Sequence, residues 1–351
     1  MNGYERIIAA LQRKEPDRVP LMELYVHPRV IEGLCPGGDL LDMVERLDLD
    51  GVCVSRGGGQ PASETRPASY VDDWGVRYGR SQEAYHPLEG PIKSEADLER
   101  YVPPDPTLEV LMEPVRQAAQ RFKGERFIAF HTAPDFMPAA LLRGLPQMLV
   151  DLLENPSLAH RLLHMVNDYH CTLAQRAIKA GADGVVLAGD WAFNTGPFMS
   201  PAHFREFVYP CFKRCIDLCH AAGAYTIKHS DGNLWPIMDL IASSGIDAIN
   251  PLEPEAGMDL GEVKRRYGDR LCITGNISCG YTLSEAREEE VVREVRAAIR
   301  AAGPGGGYIM MSSNSLHSSV RPENYGAMVA AAHTYGRYPL DMAALAGQPA
   351  V

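Results

Sequence analysis

The segment Thr226-Ile-Lys-His-Ser-Asp-Gly-Asn233 carries an imidazole, a carboxylate and an amide at alternate positions, directly after a short apolar run. Other runs end in the same way. Their closing residues are Glu23, Arg56, His131, Asp190, Glu253, Asn276, Cys279, Asn314 and His317, in addition to His229 and Asp231. Imidazoles, a thiol and carboxylates are the side chains that hold metals or move protons. Any one of them is unremarkable, because a strand end is where a chain turns polar anyway. Their shared position is what matters, since it points His131, His229, His317, Cys279, Glu23, Asp190, Asp231 and Glu253 toward one axis.

Eight strands are expected to position these groups. They are Arg18–Tyr25, Gly51–Ser55, Arg126–Phe130, Gly184–Ala188, Ala224–Lys228, Ala248–Leu252, Arg270–Thr274 and Gly307–Met311. Helical patterns separate them, at Gly38–Leu47, Leu108–Phe122 and Pro138–Ile178 among others, and Asn2–Lys14 and Pro322–Tyr335 flank the set. Strand-to-helix alternation requires parallel strands with helical crossovers, and eight such units close into an α/β (β/α)8 TIM barrel, with its active site at the strand C-terminal ends. Between Thr65 and Tyr101, the turn Asp72-Asp73-Trp74-Gly75 and the alternation of Tyr70, Val76 and Tyr78 predict an insertion after the second strand, a hairpin followed by a loop. Residues 1–340 read as one domain and 341–351 as a C-terminal tail, with the chain loose from Pro339 onward.

Composition narrows the function. Among 351 residues, 46% are hydrophobic and 23% charged, and the net charge is -11. No basic stripe is available for a nucleic-acid backbone, and no apolar run approaches a membrane span. Met1–Arg18 has no apolar signal core, so the expected location is cytoplasmic, with the eight cysteines reduced. Cys211, Cys215 and Cys219 read as small buried residues on one helix face, and His160, His164, His170 and His333 as packing or surface histidines. Gly57–Gly59 and Gly305–Gly307 lack the companions of a phosphate loop and read as tight turns. Tyr25, Phe130, Trp191, Phe193 and Tyr281 form either an apolar wall for a flat substrate or barrel-rim packing.

From about Gly181 to Tyr335 the sequence resembles the uroporphyrinogen decarboxylase superfamily, which includes corrinoid-linked methyltransferases. The matching stretches are Met199-Ser-Pro-Ala-His-Phe-Arg-Glu-Phe207, Gly275-Asn276, Gly303-Pro-Gly-Gly-Gly307 and Pro322-Glu-Asn324, and Asp72–Gly75 with Pro91–Pro106 extend the match forward. The resemblance implies the barrel fold. Decarboxylases of the family grip their polycarboxylate with two arginines in the first strand, where this chain has Met22-Glu-Leu-Tyr-Val-His-Pro-Arg29. Methyltransferases of the family hold zinc with a His-x-Cys pair and a late Cys, where this chain has His229-x-Asp231 and Asn314.

A rebuilt set is expected from neighbouring strand ends, with His229, Glu253 and Cys279 on zinc and Asp231 as a fourth ligand or an orienting partner. The alternative is a hydrogen-bonded polar cluster without metal. Catalytic candidates are Asp190, His317, Asn276 and Asn314; substrate-binding candidates are Glu23, Tyr25, Arg56, His131, Trp191 and Tyr281. On this reading the protein moves a methyl group between a small donor such as a methyl ether, or a thiol acceptor, and a corrinoid. No Asp-x-His-x-x-Gly segment is present, so the corrinoid would come on a separate protein or as a free cobamide. The alternatives are a metal-free decarboxylase of uroporphyrinogen or another carboxylated ring, with Asp190 or His317 managing the proton, and a non-catalytic tetrapyrrole or corrinoid binder. Family members are often homodimers, which is the assembly the resemblance implies.

Overall fold

The computed structural model describes residues 1–57, 68–80 and 85–346. Its strands are β1 (Gly51–Ser55), β2 (Ser69–Val71), β3 (Arg77–Arg80), β4 (Tyr85–Glu89), β5 (Phe127–Thr132), β6 (Gly184–Leu187), β7 (Ala192–Phe193), β8 (Gly196–Pro197), β9 (Tyr225–His229), β10 (Ala248–Asn250), β11 (Cys272–Ile277) and β12 (Tyr308–Ser312). Seven of them form one parallel sheet in the order β1-β5-β6-β9-β10-β11-β12. Parallel neighbours need crossovers, and helices such as Pro156–Ala180, Tyr209–Ala221 and Glu288–Ala302 supply them.

The expected first strand, Arg18–Tyr25, is not a regular strand. Pro20 has no N–H to give, and the chain here makes isolated bridges, antiparallel from Arg18 to Arg337 and parallel from Leu21 to Met310 and, just beyond the segment, from Val26 to Leu316. It nevertheless fills the eighth position. The Met310 amide donates to the Pro20 carbonyl at 2.9 Å on one side, and the Asp50 amide donates to the Leu21 carbonyl at 2.7 Å on the other. The two edges of the sheet are thereby joined.

Alternation along the strands separates two apolar layers. Met22, Cys53, Phe127, Ala129, Val186, Ile227, Ala248, Cys272, Ile309 and Met311 pack together inside the barrel, while Ile128, Phe130, Val185, Leu187, Ile249 and Ile273 face the helices. Phe127 is seated because Gly184 is small: a Cβ there would lie 2.5 Å from the phenyl ring. The N-terminal helix Gly3–Leu11 begins at a capping box of Asn2 and Glu5, and places Ile7, Ala10 and Leu11 in the interior layer as a plug at the barrel base.

The insertion departs from the expected hairpin and loop. It is a three-stranded antiparallel sheet, β2-β3-β4, with Pro87 on the edge strand, where a missing N–H is tolerated. A helix at Pro28–Leu34 was not foreseen, and the predicted Leu108 helix starts as a 3₁₀ turn, Glu109–Met112. The tail is ordered further than expected. Met342–Ala346 forms a short helix with Leu345 buried, and the Ala344 carbonyl accepts from Arg296. Gly58, Gly59, Thr65 and residues 347–351 lie outside the described residues. Among those described, no single helix is long and apolar enough to cross a membrane.

Candidate functional site

Each strand that contributes an apolar residue to the barrel interior places its next inward residue at the mouth. Ile227 is followed by His229, Ala248 by Asn250, Cys272 by Thr274, Ala129 by His131 and Cys53 by Ser55. Register puts His229 beside Asn250 and His131 beside Ser55. The turn after β6 then brings Asp190 to the same place, so Asp190, His229 and Asp231 offer ligand atoms that all lie within 4.8 Å of one another.

A hydrogen-bond relay fixes how His229 is presented. The Thr274 hydroxyl donates to the Ile249 carbonyl at 3.0 Å, so it accepts from Asn250 Nδ2 at 2.9 Å. That orients the amide, leaving Asn250 Oδ1 to accept from His229 Nδ1 at 2.6 Å. The proton therefore sits on Nδ1. The Nε2 lone pair is directed at the mouth, 3.7 Å from Asp231 Oδ1.

Asp231 is held from two sides. Asn314 Nδ2 donates to its Oδ2, and its own amide donates to Asp190 Oδ1 at 3.1 Å. Its Oδ1 is buried without a hydrogen-bond partner among the described residues. Burial, with the charges of Asp190 and Glu253, pushes the Asp231 carboxyl up to about 6 against the pull of His229 and Asn314. Two acceptors thus face each other with no proton between them, an arrangement that a cation would relieve. Tetrahedral zinc with ligands at about 2.0–2.1 Å sets neighbouring donors roughly 3.4 Å apart. The 3.7 Å spacing of His229 and Asp231 is close to that value, and Asp190 brings a ligand atom within 4.8 Å of both, a donor set of one imidazole and two carboxylates that suits the ion.

A buried framework outside the barrel wall pins the Asp190 turn. Lys228 points into the helix layer, donates to the Gly189 carbonyl at 2.8 Å, lies 3.6 Å from Asp135 and sits 3.5 Å from the Trp191 ring centroid. The Trp191 amide donates to Ser230 Oγ and its indole to Asp135 Oδ1. Sequence reasoning missed Lys228 and Asp135. The available signal was a cation in Ile227-Lys-His229 at the position whose neighbours in alternation face helices.

The expected zinc trio of His229, Glu253 and Cys279 is not assembled. Cys279 is buried beside Glu23 and Asn314, with Sγ directed at the Asn314 carbonyl, and burial pushes its thiol up to about 12. Asp190, rather than Cys279, lies within 4.8 Å of His229 and Asp231. Glu253 stands nearby but accepts the Gly232 amide at 2.9 Å. Glu23, expected at the substrate, is buried under the mouth and accepts from Ser312 N and Oγ, while burial pushes it up to about 8. Trp191 is likewise buried rather than a substrate wall, and Phe130 faces the helices. Asn276 donates to the Leu252 carbonyl at 2.9 Å and lines a groove with Met258 and Glu294. His317 lies in the loop after β12, where Nδ1 accepts the Ser319 amide. Tyr25, after the first barrel segment, and Tyr281, in the turn beyond β11, are half exposed, as is Phe193.

Beside the cluster, the insertion roofs a cavity of about 270 Å³. Trp74 and Tyr78 form its cover, Arg56 and His131 come from the ends of β1 and β5, and His170 comes from the helix Pro156–Ala180. Arg56 makes a two-pronged bridge to Asp73 at 2.5 and 2.8 Å. Burial pushes His131 down to about 4, aided by His229 and Lys228, and His170 down to about 3, aided by Arg56 and His131.

Comparison with known proteins agrees with this architecture. A family model described as uroporphyrinogen decarboxylase (URO-D) matches residues 74–335. Curated uroporphyrinogen decarboxylases are similar, one from Aliivibrio salmonicida at 26% identity over 70% of each chain and one from Sodalis glossinidius at 29% over 69% of each. A solved methyltransferase from Methanosarcina mazei superposes with a TM-score of 0.74 at 19% identity, covering 95% of this chain and 99% of its own.

Proposed function

This chain belongs to the uroporphyrinogen decarboxylase family, and from that premise we propose that it is a methyl-transferring member whose Asp190, His229 and Asp231 hold zinc. The observation that carries the reading is the buried Asp231 Oδ1, without a hydrogen-bond partner among the described residues, facing a His229 Nε2 whose tautomer is fixed by Asn250. When bound there, zinc supplies Lewis acidity that makes an ether oxygen a better leaving group or a thiol a better methyl acceptor. The protein's own residues do the positioning. Asn250 keeps the imidazole edge turned to the mouth, Asn314 restrains Asp231 through Oδ2, and the Lys228 framework keeps Asp190 within reach of both. The corrinoid would be brought by a separate protein or as a free cobamide, in the reducing cytoplasm that eight free cysteines suit. Metal analysis tests the proposal. About one zinc per chain is expected in wild type and little in His229→Ala; metal-free wild type with full methyl-transfer activity would sink it.

Decarboxylation is the second reading, because the similar curated proteins carry that name and because Asp231, raised to about 6, can hold a proton near neutral pH. The same geometry weighs against it. Asp190, Asp231 and Glu253 surround the mouth with carboxylates, and Arg56 is already bridged to Asp73. Carbon dioxide release that survives a chelator would favour this reading.

A further inference from the structure

We propose that Glu23 is a positioning residue: as a neutral carboxylic acid beneath the mouth, it places Asp231 through a chain of hydrogen bonds that runs over Ser312 and Asn314. Its purpose rests on the reading of Asp231 as a metal ligand; the chain itself rests on hydrogen-bond geometry.

The Ser312 hydroxyl has one proton and two oxygens within its reach. Glu23 Oε2 lies 2.7 Å from Ser312 Oγ, and the Asn314 carbonyl oxygen lies 2.5 Å from it. Given to an ionised Glu23, the proton leaves the Asn314 carbonyl against an oxygen lone pair at 2.5 Å, with the weak Cys279 thiol contact at 3.7 Å as compensation. A proton on Glu23 satisfies both contacts. Its Oε2–H donates to Ser312 Oγ, the Ser312 hydroxyl donates onward to Asn314, and Oε1 still accepts the Ser312 amide at 3.0 Å. The Glu23–Ser312 contact thus runs in either direction with the charge on Glu23, and the neutral acid is the form that matches every donor to an acceptor.

The surroundings of Glu23 favour the same form. The titratable groups that face it are the Tyr325 hydroxyl, from the helix Pro322–Tyr335, and the Cys279 thiol, from the turn after β11. Burial pushes both of them up, so both are neutral and neither supplies a positive charge that would hold a carboxylate ionised. Burial also pushes Glu23 itself up to about 8.

At the other end of the chain, Asn314 is held at two points. Its carbonyl accepts from Ser312, and its Oδ1 accepts the Ser315 amide at 2.5 Å, which assigns the nitrogen end of its side chain. That Nδ2 donates to Asp231 Oδ2, so Oδ1 stays turned to His229. An ionised Glu23 would take the Ser312 proton back and release the Asn314 carbonyl. Asp231 would then lose the restraint on its far side without any change in its own contacts to His229 and Asp190.

Three measurements on the full chain test this. Infrared difference spectra of metal-free wild type against Glu23→Gln read the proton: the band of a neutral carboxylic acid is expected at about pH 7, missing in the variant and lost in wild type as pH rises through about 8. Proton exchange in metal-free chain labelled with 15N-asparagine reads the hold on Asn314. Its side-chain amide should exchange slowly in Glu23→Gln, whose own amide nitrogen donates to Ser312 as the acid does, and about tenfold faster in Ser312→Ala. Wild type should match Glu23→Gln below about pH 7 and exchange about tenfold faster than it above about pH 9. In chelator competition, Ser312→Ala should bind zinc roughly 10-fold more weakly than Glu23→Gln, with unchanged circular dichroism. A wild type without the acid band, equal exchange in Glu23→Gln and Ser312→Ala, or a wild type that tracks Glu23→Gln at every pH would overturn the proposal. The band and the exchange pattern in a chain that binds no zinc would uphold the hydrogen-bond chain and fault the metal reading alone.

Discussion

Asn250 has one arrangement that satisfies all its neighbours, and that arrangement decides which nitrogen of His229 reaches the mouth. Removing the relay should therefore act on metal affinity without touching a ligand. Asn250→Leu is expected to weaken zinc binding by roughly 10- to 100-fold in a chelator competition, the range for orienting partners, and an unchanged affinity would refute the relay. Glu23 offers a test in pH. Its carboxyl is pushed up to about 8 by burial, against an unfolded value near 4.3, so the folded state favours the protonated form. The stability this gives is complete below about pH 4.3 and is lost as pH rises through about 8. The melting temperature of wild type should thus fall more steeply over that window than that of Glu23→Gln; parallel curves would contradict it. His229, Asp190 and Asp231 were readable in the sequence because each follows an apolar run. Cys279 and Glu23 follow such runs too, yet the backbone turns them into buried pockets, and no spacing rule reports that.

The elements were readable to the extent that alternation and turn chemistry control them. Seven strands follow their apolar runs closely, since each must bury both faces between the interior layer and the helices. The exceptions are proline effects. Pro20 removes a ladder donor, and the first barrel segment survives as isolated bridges; Pro87 is accommodated in β4 because that strand lies at an edge. Between β10 and β11 the close approach of two strand ends makes its own demand. Gly275 has φ +116°, and a Cβ there would lie 2.0 Å from the Pro251 carbonyl oxygen. Gly275→Ala should cost about 3 kcal/mol or more, from strain plus displacement of the strand end beside Asn250. Denaturant unfolding measures this directly, and a loss under about 1 kcal/mol would mean the strands can part at little cost.

Across the molecule, the net charge of -11 is a weaker guide to substrate than it looks. Screening at physiological salt reduces distant charges beyond about 8 Å, so the groups within one Debye length of the mouth decide. Those groups include Asp190, Asp231 and Glu253, whose charges add to burial in raising Asp231; the Lys228 cation near Asp190 is buried in the helix layer, and the nearest cation lining the cavity, Arg56, is bridged to Asp73. A polycarboxylate would have to be desolvated against three like charges without a guanidinium to receive it, a cost that charge-assisted partners would otherwise offset. Uroporphyrinogen should consequently give no detectable carbon dioxide, and raising the salt from about 20 to about 300 mM should not rescue it, because these repulsions act at close range inside a partly buried site. Carbon dioxide release that grows with salt would place the barrier in the distant field instead, and release at low salt would mean that Arg56 leaves Asp73 to take the substrate, moving decarboxylation ahead of methyl transfer.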